Sequence, residues 1–310
     1  MAFLFAMEWL ILMASKCIVM IEESELILNS DGSVYHLNLL PEMIADTIIL
    51  VGDPGRVEEV SAFFDSVEFE RHNREMKTHT GTYQGSPITV MSTGMGTDNL
   101  DIVINELDAL VNIDLKNRTE KKEKRSLNLI RLGTSGAMQG DVPVDTFVAS
   151  EYGLGLDGLM NFYNSPVDVG EPELEKEFIK QTQWPDRLAY PNIIKASSSL
   201  LDLFDEGFIH GITATAPGFY GPQGRVLRMA LAYPDLNDRL QKFDYNGKKV
   251  LNFEMETSGL YGLGRALGHN TLTVCAVIAN RIRKEYSQDH KKTINQLIEI
   301  LLSKLAQIGK

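Results

Sequence analysis

Short apolar runs alternate with amphipathic segments from about residue 47 to the end of the chain. The runs TIILV, PITVMS, NLIRLGTSGA and NTLTVCAVIAN are apolar and rich in β-branched residues, which predicts buried strands. NLDIVINELDALV and TINQLIEILLSKLAQI repeat their apolar residues at helical spacing. Such alternation is typical of a parallel sheet covered by helices. We therefore expect the α/β class, with one three-layer α/β/α domain around a central mixed, largely parallel sheet.

The first 32 residues fall outside this alternation, and no Pro- or Ser-rich linker divides the rest. We predict an N-terminal extension over residues 1–32 and a single domain over residues 33–310. The stretch MAFLFAMEWLILMASKCIVM is apolar, but Glu8 interrupts it and no basic residue precedes its apolar part, which fits a targeting signal poorly. We interpret it as an over-extended start, with the natural chain beginning at Met20.

Composition narrows the classes of function. The formal net charge of −12 is unfavourable for binding nucleic acid. The two cysteines, Cys17 and Cys275, form neither a disulfide framework nor a metal-binding spacing. We therefore expect a cytoplasmic protein with no metal ion, no cofactor, no nucleic-acid partner and no membrane partner.

Glycine-rich turns with arginines follow several predicted strands. In open α/β sheets, ligands bind at the carboxyl ends of the strands. VGDPGR places Gly52 and Arg56 just before a helix, where backbone N–H groups and a guanidinium can hold an anion. A structural turn with a solvent-facing arginine explains this motif equally well.

IRLGTSG is more informative, because Arg131 lies in an apolar strand where an unpaired charge is costly. The hydroxyl groups of Thr134 and Ser135 follow it, and the three residue types together suit phosphate. The alternative is an internal salt bridge from Arg131 to Glu254 or Glu256, and we favour the phosphate interpretation.

Two glutamates flank Met255 in NFEMETSG, and extended geometry would put both on one face of the strand. Two carboxylates at such a short distance repel each other, so each needs a hydrogen-bond donor or a cation opposite it. A sugar diol and a buried arginine are both candidates.

GFYGPQGR predicts a rigid loop that presents a planar amide, Gln223, and a planar guanidinium, Arg225. VIANR ends its strand with Asn280 and Arg281. The chain has no complete G-x-G-x-x-G dinucleotide fingerprint, no nucleophile elbow and no metal-ligand spacing.

Taken in order, GDPGR, STGMG, RLGTSGA, FYGPQGR, FEMET and VIANR resemble the successive motifs of the nucleoside phosphorylase superfamily, and most closely those of the uridine phosphorylases. The resemblance runs from about His36 to the end of the chain. It implies a pentosyltransferase of pyrimidine salvage that converts uridine and phosphate reversibly into uracil and ribose 1-phosphate, and it leaves open whether deoxyuridine or thymidine is also a substrate. The alternatives are a purine nucleoside phosphorylase, a hydrolytic nucleosidase and a nucleoside-binding protein without activity.

The resemblance also implies a role for individual residues. The residues implied to bind phosphate are Gly52, Arg56, Arg74, Arg131 and Thr134. Those implied to bind ribose are His36, Met255 and Glu256. Those implied to surround the base are Thr134, Ser135, Gly136, Phe219, Gln223, Arg225, Glu254, Ile278 and Arg281. Catalysis is implied for Arg131, Gln223 and Arg225.

Three further expectations follow from the resemblance. Arg74 and His36 are implied to enter the site of a neighbouring subunit, which requires a homodimer or a larger homo-oligomer. Purine phosphorylases usually carry an aspartate where this chain has Asn280, which favours a pyrimidine. A mobile lid is expected over residues 282–292, IRKEYSQDHKK.

Overall fold

The computed structural model describes residues 20–165 and 169–308. The strands are β1 (Thr47–Val51), β2 (Ser66–Asn73), β3 (Met76–Tyr83), β4 (Ser86–Ser92), β5 (Ile113–Asp114), β6 (Thr119–Glu120), β7 (Asn128–Ala137), β8 (Phe147–Gly155), β9 (Asn192–Lys195), β10 (Ile209–Thr215), β11 (Asp244–Tyr245), β12 (Lys248–Glu254), β13 (Asn270–Asn280) and β14 (Glu285–Tyr286). The α-helices are α1 (Pro54–Ser61), α2 (Thr97–Asn112), α3 (Pro172–Thr182), α4 (Ser198–Leu201), α5 (Leu236–Lys242), α6 (Thr257–Leu267) and α7 (His290–Leu305).

One large sheet carries the fold, in the order β11-β12-β10-β8-β13-β7-β1-β4-β3-β2. β12 also pairs with β7, through Asn252 opposite Ala137 and Phe253 opposite Gly136. The strands β7, β13, β8, β10 and β12 therefore form a closed ring. The expected three-layer arrangement is not confirmed, because this closure curls one half of the sheet into a barrel.

The sheet is mixed, as predicted. β1 runs parallel to β4 and β7, β7 is parallel to β13, and β10 is parallel to β8 and β12. The β2–β3–β4 hairpins and the β8–β13 pair are antiparallel. The parallel strands bring several carboxyl ends to one region, and that region carries the candidate site.

Both predicted amphipathic helices are present, and each buries its apolar face against the sheet. The buried apolar residues of α7 are Ile294, Leu297, Ile298, Leu301, Leu302 and Leu305. Burying one such side chain contributes about 1.5–3 kcal/mol, so packing rather than intrinsic propensity holds these helices. Gly262 allows α6 to pack closely against Met160, because a Cβ at position 262 would lie only 2.6 Å from Cγ of Met160.

The charged segment 116–125 is anchored to the rest of the molecule by two of its basic side chains. Nη1 of Arg118 donates to the carbonyl of Leu26, and Nζ of Lys121 donates to the carbonyl of Val111 at 3.0 Å, near the end of α2. The first 19 residues of the predicted extension lie outside the described residues, so its boundary at residue 33 stays a prediction. Within the described ranges, no helix is both long and apolar enough to cross a membrane.

Candidate active site

The candidate site lies where β1, β7, β10, β12 and β13 end, as the strand-end pattern predicts. Gly52 follows β1, and Arg56 lies in the first turn of α1. Arg131 and Thr134 are in β7, and Glu254 ends β12. Strand pairing places β7 between β1 and β13, so these turns share one edge of the sheet.

Arg131 is the centre of a buried ion cluster. Its Nη2 pairs with Oε2 of Glu256, and its Nη1 lies 3.4 Å from Oε2 of Glu254. All three side chains are nearly inaccessible to solvent. The internal salt bridge that we considered less favoured is therefore present, and the preference for phosphate as the partner of Arg131 is corrected to this extent. The reason is geometric, because the turn after β12 brings both glutamates onto the end of β7.

Charges and burial oppose each other in this cluster. Burial alone would lower the pKa of Arg131, but the charges of Glu256 and Glu254 outweigh it and raise that pKa. Burial raises the pKa of Glu254, and the nearby charge of Glu256 acts in the same direction. The cluster contains two carboxylates and one guanidinium, so it retains a preference for a proton or another cation.

The backbone and a hydroxyl hold both glutamates in place. Glu254 accepts from the hydroxyl of Thr215 at 2.7 Å and from the backbone N–H groups of Glu256 and Thr257, both at 2.9 Å. Oε1 of Glu256 accepts from the N–H of Gly96 at 2.8 Å. The sequence patterns did not single out Thr215, the last residue of β10, or Gly96, the N-cap of α2, although Gly96 lies in the STGMG motif.

Gly133 gives the Arg131 side chain its space. A Cβ at Gly133 would overlap Nη1 of Arg131, since residues two apart in a strand share one face. Sγ of Cys275, on the adjacent strand, lies 3.7 Å from the same nitrogen. Burial raises the pKa of the Cys275 thiol to about 12, so this group stays protonated at neutral pH.

Arg56 faces the same region from α1. Its Nε is buried and makes no hydrogen bond within the described residues, and the nearest paired carboxylate oxygen, on Glu59, is 3.9 Å away. Burial lowers the pKa of Arg56, and the positive charge of Arg131 acts in the same direction. Two arginines that repel each other around an unsatisfied donor are the arrangement that an anion stabilises.

Gln223 and Arg225, on the loop after β10, form a second polar cluster with Arg281, which directly follows β13. Gln223 is 3% exposed and ends a short 3₁₀ turn, Gly221–Gln223, inside the predicted loop. Its Oε1 accepts from Nη1 of Arg225 at 2.8 Å and from Nη2 of Arg281 at 3.1 Å. Only an oxygen can accept from two guanidinium groups, so the orientation of this amide is fixed.

Phe219, the implied wall beside the base, is half exposed, and the guanidinium carbon of Arg225 lies 3.7 Å from its ring centroid. Burial, and then the charge of Arg225, lower the pKa of Arg281 to about 10. In this conformation Arg225 covers the ring and both lone pairs of the Gln223 oxygen are used. A base that stacks on the covered face of Phe219 requires Arg225 to move, and a base that donates to the Gln223 oxygen requires Arg225 or Arg281 to move.

The remaining implied base and ribose residues lie around these two clusters. Ser135 is buried, and its Oγ accepts from Nδ2 of Asn252 at 2.8 Å. Thr134, Met255 and Ile278 are partly buried. Gly136 leaves room beneath Arg281, since a Cβ there would be 3.9 Å from Nε of that arginine.

His36 and Arg74 lie together on a different part of the molecule. Nδ1 of His36 is 2.6 Å from Oε1 of Glu106, and the backbone N–H of His36 also donates to that carboxylate. The Tyr35 ring contacts the His36 ring, with centroids 4.9 Å apart, and Arg74 lies 5.7 Å from the Tyr35 centroid. Tyr35 thus links these two residues, and within residues 20–165 and 169–308 neither makes a hydrogen bond or ion pair with Arg56 or Arg131.

The expected lid segment contains a short hairpin, in which β14 pairs with the end of β13, followed by the start of α7. A cavity of about 660 Å³ is lined in part by the Gly218–Arg225 loop. It is lined mainly by apolar side chains such as Trp184, Leu231 and Tyr233. Arg225 is the only implied site residue that lines it, so the chemistry is placed by the polar clusters and not by this cavity. Among the described residues, no cluster of three or more His, Cys, Asp or Glu side chains could hold a metal ion.

Comparison with known proteins gives a consistent family. The family model described as "Phosphorylase superfamily" matches residues 46–308. A uridine phosphorylase of Thermococcus kodakarensis is 29% identical over 273 residues, which cover 84% of this chain and 83% of that protein. A DeoD-type purine nucleoside phosphorylase of Bacillus thuringiensis is 30% identical over 275 residues, which cover 88% of this chain and 98% of that protein.

Solved structures agree on the fold. A Trypanosoma brucei nucleoside phosphorylase, described as showing uridine phosphorylase activity, superposes with a TM-score of 0.81 at 29% identity over 91% of this chain and 99% of that one. A protein from a study of two uridine phosphorylases of Phytophthora capsici gives 0.67 at 22% identity over 94% and 100% of the two chains, which supports the fold alone. The resemblance read from the six motifs is confirmed, and so is the expectation of a nucleoside-phosphorylase-like enzyme: the chain belongs to the phosphorylase superfamily.

Proposed function

We propose that this protein catalyses the reversible phosphorolysis of uridine to uracil and ribose 1-phosphate. One observation carries the proposal: the buried Arg131 and the partly buried Arg56 face one region, and the buried Nε of Arg56 has no hydrogen-bond partner among the described residues. A buried unsatisfied guanidinium donor is costly, and a bound phosphate dianion removes that cost.

The second cluster supplies the other half of the chemistry. In phosphorolysis a phosphate oxygen forms a bond to C1′ as the C1′–N1 bond breaks, and the electron pair of that bond passes to the pyrimidine. Gln223 and Arg225 offer N–H donors to that developing charge, and donors of this kind stabilise a transition state more than the ground state. Removing one donor costs about 2.7–4 kcal/mol of barrier in comparable sites.

The ribose is assigned to Glu256 and Met255. Glu256 is fixed by Gly96 and Arg131, so its carboxylate is oriented before a diol arrives. A phosphate that draws Arg131 away from this carboxylate would free Oε2 for a ribose hydroxyl. The ion cluster therefore connects the two substrates through one side chain.

The base is assigned as a pyrimidine on two grounds. A relative named as a uridine phosphorylase and a structure described as showing that activity are both 29% identical. Asn280 uses its whole amide on backbone groups, which leaves no proton donor or acceptor of this residue for a purine ring. The purine alternative rests on the 30% identity to the Bacillus protein.

A substrate panel with and without phosphate tests the assignment. Uridine, deoxyuridine, thymidine and inosine are each incubated with the protein, and base release is followed by absorbance. We expect phosphate-dependent release of uracil and a much slower reaction of inosine. Cleavage of uridine without phosphate would indicate a nucleosidase. Faster turnover of inosine than of uridine would indicate a purine phosphorylase, and binding of nucleoside without turnover would indicate an inactive relative.

Arg225→Ala provides a site-specific test. It should lower kcat/KM for uridine by about a hundredfold or more, since one donor to the leaving base is lost. The matched control is Arg228→Ala, three residues further along the same loop and exposed. Equal activity of the two variants would refute the role of Arg225.

We further propose a homo-oligomer in which His36 and Arg74 complete the site of the neighbouring subunit. Arg74→Ala and Arg225→Ala variants would each be inactive alone. In a two-fold dimer, refolding them together at equal amounts should restore about a quarter of wild-type activity, because half of the dimers are mixed and each has one intact site. No recovery after confirmed subunit exchange would contradict shared sites.

A further inference from the structure

Asn280, the last residue of β13, has an amide that is fully hydrogen-bonded to the backbone. Its Nδ2 donates to the carbonyls of Gln139 at 2.9 Å and Val142 at 2.7 Å. Its Oδ1 accepts from the N–H groups of Ile282 and Arg283, both at 2.9 Å. An amide has two donors and two acceptor positions, so every one is used, and the residue is 1% exposed.

These four bonds join two segments that meet beside the base cluster. One is the 139–142 loop after β7, and the other is the turn that leads from β13 to β14. Nε of Arg283 adds a bond to the carbonyl of Gly140 at 2.8 Å. Beyond the hairpin, the N–H of Ser287 donates to the carbonyl of Ile278 at 2.8 Å, so the hairpin is fixed at both ends.

Arg281 lies between these anchors and reaches Gln223. Its N–H donates to the carbonyl of Ala137 at 3.2 Å, and its guanidinium donates to both the backbone carbonyl and Oε1 of Gln223. No ion pair with a carboxylate is recorded for Arg281 in the described parts of the chain, and the charge of Arg225 opposes it. Its position therefore depends on the backbone that carries it.

We propose that Asn280 is a positioning residue for base recognition, which fixes the backbone at Arg281 and through it the amide of Gln223. This inference rests on the proposed function only for its kinetic consequence. The structural link from Asn280 through Arg281 to Gln223 depends on the hydrogen bonds alone. The residue touches no reacting atom in this scheme, and its effect passes entirely through Arg281.

The test compares Asn280→Ala with Asn112→Ala. Asn112 is also buried, and it also uses its amide on neighbouring backbone, at the carbonyl and N–H of Arg125, but it lies at the far end of α2. Both variants should lose similar stability. For Asn280→Ala, kcat/KM for the nucleoside should fall by about 10- to 100-fold, the range for a lost hydrogen bond to a charged group, with KM for phosphate within about twofold of wild type. Asn112→Ala should leave both constants near wild type.

A double-mutant cycle identifies the route of the effect. If Asn280 acts through Arg281, Asn280→Ala should change kcat/KM by less than about twofold in an Arg281→Ala background. If the two losses multiply, or if Asn112→Ala changes nucleoside kinetics equally, the proposal is wrong. Asn280→Ser replaces Asn280→Ala if the latter does not fold, because it adds no charge and its single O–H donor can satisfy at most one of the carbonyls of Gln139 and Val142.

Hydrogen exchange separates this proposal from the proposed function. Asn280→Ala should raise amide exchange in a peptide covering residues 219–228 as well as in the hairpin, whereas Asn112→Ala should change neither. An inactive wild-type protein would refute uridine phosphorolysis while this measurement still decides the positioning role. Unchanged exchange at 219–228 in Asn280→Ala would overturn the positioning role, whatever the activity.

Discussion

Replacing Arg131 with methionine removes the one positive charge that two buried carboxylates share. Nη2 of Arg131 pairs with Glu256, and Nη1 is 3.4 Å from Glu254. Breaking a buried ion pair by removing one partner costs about 3–5 kcal/mol, because the remaining charge is left without compensation. We expect the free energy of unfolding of Arg131→Met to be lower than that of wild type by about this amount at pH 8.

The deficit should depend on pH in a defined direction. Burial raises the pKa of Glu254 above its ordinary value of 4.5, and loss of the arginine charge raises it further. An acid with a higher pKa in the folded state binds its proton more tightly there, so its contribution to stability is complete below pH 4.5 and is lost as pH rises through the raised pKa. The variant should therefore recover stability relative to wild type between pH 8 and pH 5, by about 1.36 kcal/mol for each unit of further pKa increase.

Urea denaturation followed by circular dichroism at pH 5, 6, 7 and 8 measures both effects. Lys176→Met is the control, because Lys176 pairs with Glu173 at the surface with 2.9 Å between Nζ and Oε1. Its ion pair should contribute little to stability, with no trend above pH 5. A deficit below about 1 kcal/mol for Arg131→Met, or one that is equal at pH 5 and pH 8, would refute the charge-compensation argument.

Three other substitutions test single contacts. Gly133→Ala should displace the guanidinium of Arg131 and lower kcat/KM by about a hundredfold with a near-native circular dichroism spectrum, because a misplaced group costs that much; wild-type kinetics would contradict the overlap. Asp53→Ala removes the side chain that caps α1. It should lower the free energy of unfolding in urea by about 1 kcal/mol and raise KM for phosphate; an unchanged KM would show that the cap does not support phosphate binding. Gly262→Ala should cost about 1–3 kcal/mol by crowding Met160, with kcat unchanged, and a stability equal to wild type would disprove that crowding.

Sequence patterns predict most of the parallel strands and the location of the site. Apolar runs predict the buried strands, and the glycines that follow these runs mark the turns where a ligand can approach. The β2–β3 hairpin was not predicted, because β2 is exposed along most of its length and Val67 and Phe69 are its only apolar residues. Strands of this kind are stabilised by pairing with a neighbour, which local sequence does not reveal.

The partners of the charged side chains were predicted less well than their positions. The motif around Arg131 predicted a buried arginine with an anionic partner, but the choice between phosphate and Glu256 depends on where the end of β12 lies in space. The β12–β7 pairing decides this, and it joins residues more than a hundred positions apart. The hydrogen bonds from two arginines to the Gln223 oxygen are equally non-local, because Arg281 lies 58 residues further along the chain.

The closed ring of strands has a consequence for local stability. Each of its five strands is paired on both sides, so opening any one of them breaks two ladders. Regions of this kind open only with near-global unfolding, whereas the ends of hairpins and exposed loops open at little cost. Arg131 and Glu254 are built on the ring, while Arg225 stands on an exposed loop and Arg74 at the tip of the β2–β3 hairpin. Amide exchange should thus be slowest around Arg131 and Glu254 and fastest around Arg225 and Arg74. Under the proposed function, the part of the site assigned to phosphate is then rigid, while the loop assigned to the base is free to move as a nucleoside enters and leaves.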